Sequence, residues 1–213
     1  ACSQVQTGTT VITVNPLPTA SIAGTTAVCL NAPSPNITFT GASSTAPYTF
    51  TYNINGGPNQ TVSTVAGNSV TVAAPTNVAG VFTYNLVSVQ DGSTTLCSQA
   101  QAGSATITVN PLPTATIAGA ITVCLNAPMP NVTFTGAAGT APYTFSYTIN
   151  GGPIQTVTTV AGNSVTVAAP TNVAGTFTYA LVSVQDGSST LCSQAQTGST
   201  VITVAPLPTA TIG

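Results

Sequence analysis

Large apolar side chains alternate with small polar ones along much of this chain, and a period of two is the mark of half-buried β-strands. In Tyr48-Thr49-Phe50-Thr51-Tyr52-Asn53-Ile54 one face collects the large side chains and packs inward, while Thr and Asn face water. The same alternation runs through Phe82-Thr83-Tyr84-Asn85-Leu86 and Thr106-Ile107-Thr108-Val109. Shorter strands are predicted over 20–22, 36–40, 60–65 and 69–73, where β-branched Thr and Val favour the extended chain. Turns fall where Gly, Pro and Asn cluster: Asn55-Gly56-Gly57-Pro58, Ala66-Gly67-Asn68, 75–80 and Asp91-Gly92. About seven strands in roughly 100 residues match an immunoglobulin-like β-sandwich better than a closed barrel. No segment shows helical spacing with caps, so the predicted class is all-β.

The pattern repeats. Cys2, Cys97 and Cys192 stand 95 residues apart, as do Cys29 and Cys124, and Pro-Leu-Pro-Thr-Ala recurs at Pro16, Pro111 and Pro206. Sliding 16–110 onto 111–205 needs no gap and leaves 76 of 95 positions identical, as a duplicated unit would. The predicted organisation is the last strand of a preceding repeat in 1–15, whole immunoglobulin-like repeats in 16–110 and 111–205, and the start of a further repeat in 206–213. A period of this length is too long for a solenoid coil and suits a domain with its own core. The expected arrangement is a linear rod of such domains. Thr51/Ser146, Asn53/Thr148 and Asn85/Ala180 differ between the two copies and all fall on predicted outer faces, whereas Tyr48, Phe50, Tyr52, Phe82, Tyr84 and Leu86 recur unchanged.

Composition then removes most chemistry. The 213 residues contain no Lys, Arg or His, and their only acids are Asp91 and Asp186. Nucleic acids and anionic lipid surfaces are held through Lys and Arg, so neither is expected as a partner. General acid-base, nucleophilic and metal chemistry draw on His, Lys, Cys and paired carboxylates, so no catalytic residue, cofactor or metal is expected. The chain is 43% hydrophobic, too apolar for a disordered segment. Its apolar runs fall short of the ~18 residues of a membrane helix, so no membrane insertion is expected. It opens without the basic and apolar regions of a signal peptide, and Ala1 is not expected to be a native start.

Each repeat joins the next through Val14-Asn15-Pro16-Leu17-Pro18 or its counterpart at 109–113. Paired prolines, Pro16 and Pro18, Pro111 and Pro113, Pro206 and Pro208, fix φ and remove amide donors, so these linkers are expected to be short, extended and stiff. Two cysteines per whole repeat leave Cys2 unpaired or paired outside these residues. The proposed bridges are Cys29–Cys97 and Cys124–Cys192, each within one repeat; isolated thiols are the alternative. Cys2–Cys29 is set aside because the loop before the last strand lies at the pole away from the next domain, beyond the ~7 Å Cα reach of a disulfide. Disulfides place the chain in an oxidising compartment, hence extracellular or at the cell surface.

Asp91 lies in Gln90-Asp91-Gly92, where Asp most often holds a turn. Calcium needs six to eight oxygens, usually from several carboxylates, and one acid per repeat does not supply them. The Gly-rich Asn55-Gly56-Gly57 lacks the Lys of a phosphate-binding loop and reads as a hairpin turn. Asn36-Ile37-Thr38, Asn59-Gln60-Thr61 and Asn131-Val132-Thr133 match the glycosylation tripeptide.

The phrases Pro-Leu-Pro-Thr-Ala, Val28-Cys29, Ala46-Pro47-Tyr48-Thr49-Phe50, Gly80-Val81-Phe82-Thr83-Tyr84, Val87-Ser88-Val89-Gln90-Asp91-Gly92 and Cys97 resemble the tandem immunoglobulin-like or PKD-like repeats of very long Bacteroidota surface proteins. Those proteins often end in a gliding-motility-associated C-terminal domain. The resemblance covers the whole chain and implies type IX secretion and a role as adhesin stalk or extracellular filament. No type IX sorting domain is visible in these residues. The expected function is therefore structural and adhesive. Self-association or neighbouring repeats are the expected partners, since edge strands without Lys or Glu lack a common guard against pairing. A module recognising surface glycans through loops or Thr-rich faces is the alternative; ice binding through flat Thr arrays is disfavoured by the twist of sandwich sheets.

Overall fold

The computed structural model describes residues 1–210 and is all-β, with eighteen strands and no helix among them. The first repeat holds β1 (Thr19–Ala23), β2 (Thr26–Cys29), β3 (Asn36–Ala42), β4 (Thr49–Ile54), β5 (Gln60–Ser63), β6 (Ser69–Ala73), β7 (Gly80–Gln90), β8 (Ser98–Ala100) and β9 (Ser104–Asn110). The second repeats the series as β10 (Thr114–Ala118), β11 (Ile121–Cys124), β12 (Asn131–Ala137), β13 (Thr144–Ile149), β14 (Gln155–Thr158), β15 (Ser164–Ala168), β16 (Gly175–Gln185), β17 (Ser193–Ala195) and β18 (Ser199–Ala205).

Each repeat builds a sandwich from two sheets. In the first, a three-stranded sheet β1-β3-β6 faces a sheet ordered β2-β9-β7-β4-β5, with β8 added to β7. Phe39 of the smaller sheet meets Phe50 and Tyr52 of the larger at ring-centroid distances of 5.6 and 5.0 Å, and Phe134 meets Phe145 and Tyr147 at 5.7 and 4.8 Å in the second. Offset ring pairs at such distances add to the area they bury. Ile37, Val89, Ile107 and Val109 complete the first core, and Val132, Val184, Ile202 and Val204 the second. The expected inner faces hold: Tyr48, Phe50, Tyr52, Tyr84 and Leu86 are buried, while Phe82 is only half-buried. Two of the substitutions between repeats follow the pairing: Asn53 stands opposite Asn85, whose Nδ2 donates to Asn53 Oδ1 at 3.0 Å, and in the second repeat Thr148 stands opposite Ala180.

The nine strands per repeat exceed the expected seven because the first strand region divides and β8 is added. β1 joins the small sheet and β2 the large one. The switch is made at Gly24, whose φ of 122° suits glycine and where a Cβ would lie 2.4 Å from the Asn36 carbonyl oxygen. At the β4–β5 hairpin Asn55 (φ 52°) and Gly56 (φ 72°) form the left-handed pair of a type I′ turn, closed by Gly57 N–H donating to Ile54 O at 2.9 Å.

Two compact units emerge. One contains Ala1–Thr26, Ser34–Pro75 and Val81–Ile107; the other contains Ala27–Pro33, Thr76–Gly80 and the chain from Thr108 on. The stretch around Cys29 thus belongs to the second unit although it lies in the first sequence repeat. Residues 1–18 contain no strand and 1–14 are exposed, so the last strand expected within 1–15 does not form. Its sheet partners would be the equivalents of β11 and β16, which flank β18 in the second repeat. Residues 206–210 are likewise exposed without a strand; the rest of the expected start in 206–213 lies outside the described residues.

Candidate functional site

The chemistry of this chain is concentrated at its cysteines. Cys29 is bonded to Cys192, with a Cα–Cα separation of 5.6 Å, and Cys2, Cys97 and Cys124 are free thiols. The expected bridges Cys29–Cys97 and Cys124–Cys192 are therefore corrected: the first cysteine of one repeat pairs with the second cysteine of the next. The reason lies in strand direction. β11 runs parallel to the last strand β18, with Cys124 opposite Ala205, and in the first repeat Leu30 N–H donates to Asn110 O at 2.8 Å. Cys29 is thereby carried to the end of β9 from which the chain leaves for the next repeat. Cys97 precedes β8, near the other end of β9, and seven strand residues span roughly 23 Å, well beyond a disulfide's reach. The premise that sets aside Cys2–Cys29 also excludes Cys29–Cys97.

The loop carrying Cys192 is folded around Asp186. Its carboxylate accepts the Ser188 N–H at 3.3 Å, the Ser188 hydroxyl at 2.7 Å and the Thr140 N–H at 3.2 Å, and Asp186 N–H donates to Cys192 O at 2.9 Å. Burying a carboxylate requires such donors; the chain has no cation to pair with it. Ser188 Oγ lies 3.2 Å from Thr190 Oγ1, which lies 3.0 Å from Cys192 Sγ and 3.5 Å from Cys29 Sγ. Asn110 Nδ2 donates to that same Thr190 hydroxyl at 2.9 Å. The last residue before Pro111 is therefore fastened to the loop that carries the bridge. Leu191, at φ 49°, turns the chain so that Cys192 points inward and is 1% exposed.

The loop after β7 repeats the frame. Asp91 accepts the Ser93 N–H at 3.3 Å, the Ser93 hydroxyl at 2.8 Å and the Ser44 hydroxyl. The Ser44 hydrogen bond, aided by those from Ser93 and the Cys97 backbone, holds the Asp91 carboxyl below its usual range against the opposing effect of burial. Both acids thus hold turns, as read from the sequence. The roles of Thr95, Thr190, Asn15 and Asn110 are not visible in spacing, although an Asn directly before two of the three Pro-Leu-Pro phrases is the available signal. The linker prolines are placed at the joins: three residues, 111–113, separate β9 from β10, with Pro113 buried and Pro111 exposed, while Pro18 is buried and Pro16, Pro206 and Pro208 are exposed.

No protein-family description matches this chain, and no curated protein does. Solved structures do. An ice-binding adhesin of an Antarctic bacterium, described as Ca2+-stabilized, matches with a TM-score of 0.50 at 18% identity, over 91% of this chain and 50% of that one. A 1.5-MDa bacterial ice-binding adhesin matches at 0.46 and 18%, over 90% and 66%. A tetra-tandem repeat from the extending region of a large adhesion protein matches at 0.35 and 18%, over 89% and 50%. This chain thus spans about half to two thirds of these three structures. The likeness at a TM-score of 0.50 bears on the fold alone, and the sheet pairs of this chain are those of immunoglobulin-like β-sandwiches.

Proposed function

We propose that this chain is the structural, adhesive repeat region of a bacterial surface stalk or extracellular filament, acting without catalysis. The observation that carries the reading is the Cys29–Cys192 bridge, which closes 163 residues of sequence across a repeat boundary. A binding module needs a stable fold for its loops, and bonds within each domain would serve that. A bond from one repeat to the next instead limits how far the chain extends under tension. Adhesin repeats among the structural neighbours support an extracellular position, as does the disulfide itself. The stated Ca2+ stabilisation of one neighbour has no counterpart in a chain with one carboxylate per repeat, and here the bridge takes that part. The likeness of the repeat phrases to those of Bacteroidota surface proteins extends the reading to type IX export and gliding-associated adhesion. Self-association through uncharged edge strands completes it.

Single-molecule pulling from both ends tests this role. A residue contributes about 3.4 Å of extended length, so the oxidised chain should extend about 550 Å less than the reduced chain, the length locked between Cys29 and Cys192. Equal extension with and without reductant would remove the mechanical basis of the reading.

A further inference from the structure

The outer edges of the smaller sheets are treated differently. On one side the edge is guarded: Gln101 Oε1 accepts the outward N–H of Ala20 in β1 at 3.3 Å, and Gln196 Oε1 accepts that of Ala115 in β10 at 3.1 Å. On the other side β6 ends the sheet β1-β3-β6, as β15 ends β10-β12-β15. Among the described residues the side-chain hydrogen bonds of these strands, Ser69 Oγ with Thr40 Oγ1 and Ser164 Oγ with Thr135 Oγ1, each at 2.8 Å, point back into their own sheets. In the chain β6 has a whole repeat after it and β15 has one before it, so the open edge does not come from where the sequence begins or ends.

Which backbone groups are open follows from the pairing with β3. Gly41 N–H donates to Asn68 O and Ala74 N–H donates to Pro35 O, each at 2.8 Å. Such pairs alternate along an antiparallel ladder, so 68, 70, 72 and 74 turn their backbone groups toward β3, while Ser69, Thr71 and Ala73 turn theirs outward. The side chains of those three are exposed, and Val70 and Val72 between them are half-buried. The order Ser-Val-Thr-Val-Ala reads almost alike in both directions about Thr71, which makes the strand its own antiparallel complement. A two-fold axis at Thr71 sets Thr71 against Thr71, Ser69 against Ala73 and Val70 against Val72 of another copy. Every outward N–H then meets an outward C=O, threonines pair on the solvent face, and valines pair on the inner one. Nothing opposes the approach, for the strand holds no Pro, Gly or charge, and the chain's only acids, Asp91 and Asp186, are buried. Ser164–Ala168 has the same five residues and the same burial. β2 and β5, the ends of the larger sheet, are four residues each and lack this symmetry.

We propose that β6, and β15 as its equal, is the surface through which a second copy of this chain associates, antiparallel and centred on Thr71 or Thr166, so that two three-stranded sheets become one. The proposal gives a surface to the self-association within the structural reading and rests on that reading. The two fail separately. Chains that stay monomeric while reduction still lengthens them overturn only this proposal; dimers whose extension ignores reductant overturn only the mechanical reading.

The test compares full chains with their free thiols alkylated: wild type, a form with Thr71→Lys and Thr166→Lys, and a form with Thr71→Glu and Thr166→Glu, all at exposed positions. Sedimentation velocity over a concentration series reads association. Wild type should associate to the same extent at low and high salt. Each charged form alone should associate about tenfold more weakly, the factor that like charges one strand spacing apart supply at a protein surface, and high salt should return part of that loss. An equimolar mixture of the Lys and Glu forms should regain wild-type association, a rescue that neither misfolding nor a general change in solubility gives. Amide hydrogen exchange should show Ser69, Thr71 and Ala73 gaining protection as concentration rises, while Thr61 and Ser63 of β5 do not. A monomeric wild type would leave the edge to a strand of some other protein and overturn the proposal. So would charged forms that associate like wild type, a mixture no better than its parts, or protection that arises on β5 instead.

Discussion

Residues 7–14 and 197–204 read Thr-Gly-Thr-Thr-Val-Ile-Thr-Val and Thr-Gly-Ser-Thr-Val-Ile-Thr-Val, and differ only at Thr9/Ser199. The later copy enters β18, pairs with β16 on one side and β11 on the other, and buries Ile202 and Val204. The earlier copy pairs with nothing, and Ile12 is 83% exposed against 0% for Ile202. Intrinsic preference is the same in both, so it cannot be what makes the strand. The β-propensity of Val, Ile and Thr is mostly a measure of fit to a pleated, half-buried surface, and 7–14 has no such surface within this chain. Yet Asn15 directly after it makes the same side-chain contact as Asn110. The anchor at the end of the phrase is local, whereas the strand is a property of the sheet.

Removing each copy is the strongest way to break this comparison. A chain ending at Gly198 loses β18 from the middle of its sheet, leaving β11 and β16 with open edges and Tyr179 without its neighbours. It should lose the cooperative unfolding transition of the second sandwich in a calorimetric scan. A chain starting at Asn15 should keep both transitions. If the two truncations cost the same, the sheet does not decide the strand.

Single side chains sharpen the point with a smaller effect. Ile202→Ala should destabilise the second sandwich by about 2–5 kcal/mol, the range for a buried Ile cut to Ala, read as a shift in the denaturant midpoint at unchanged slope. Ile12→Ala, at an exposed position, should stay within about 0.5 kcal/mol. A loss at Ile12 comparable to that at Ile202 would mean that 7–14 is packed after all.

What the sequence revealed follows the same division between local and tertiary causes. Period-two alternation is local, so the buried faces of β4, β7 and β9 could be read from Tyr48, Phe50, Tyr84, Leu86, Ile107 and Val109. The hairpin turn at Asn55-Gly56 was readable because it needs left-handed φ at adjacent residues. β2 and β8 were not readable. Thr26–Cys29 shows no alternation, and Ser98-Gln99-Ala100 has no large apolar residue; both are strands because an edge was available. The disulfide pairing failed for a related reason. Which end of the sandwich receives Cys29 depends on β2 lying beside β9, as β11 lies parallel to β18, a choice of sheet made at Gly24, and spacing alone carries no strand direction.

The smallest expected effect concerns the frame to which Asn15 is fastened. The Asp91 carboxyl is held below its ordinary value of 3.8, chiefly by the Ser44 hydroxyl. A carboxylate with a depressed folded pKa contributes stability that is fully present above the unfolded value and is lost as pH falls through the folded one. The contribution of Asp91 should therefore be constant from neutral pH down to about 4 and disappear only below that. Carboxyl-detected NMR titration should place the Asp91 midpoint below 3.8. Ser44→Gly, which gives the first repeat the glycine found at Gly139 of the second, should raise that midpoint toward the ordinary value. Because Asp91 holds Ser93, Ser93 lies against Thr95, and Thr95 accepts the Asn15 amide, the Asn15 side-chain signals should follow the same midpoint, while those of 7–14 stay unmoved. Signals of 7–14 that move with Asp91 would show that the phrase and its anchor are one element, and the contrast with β18 would have to be redrawn.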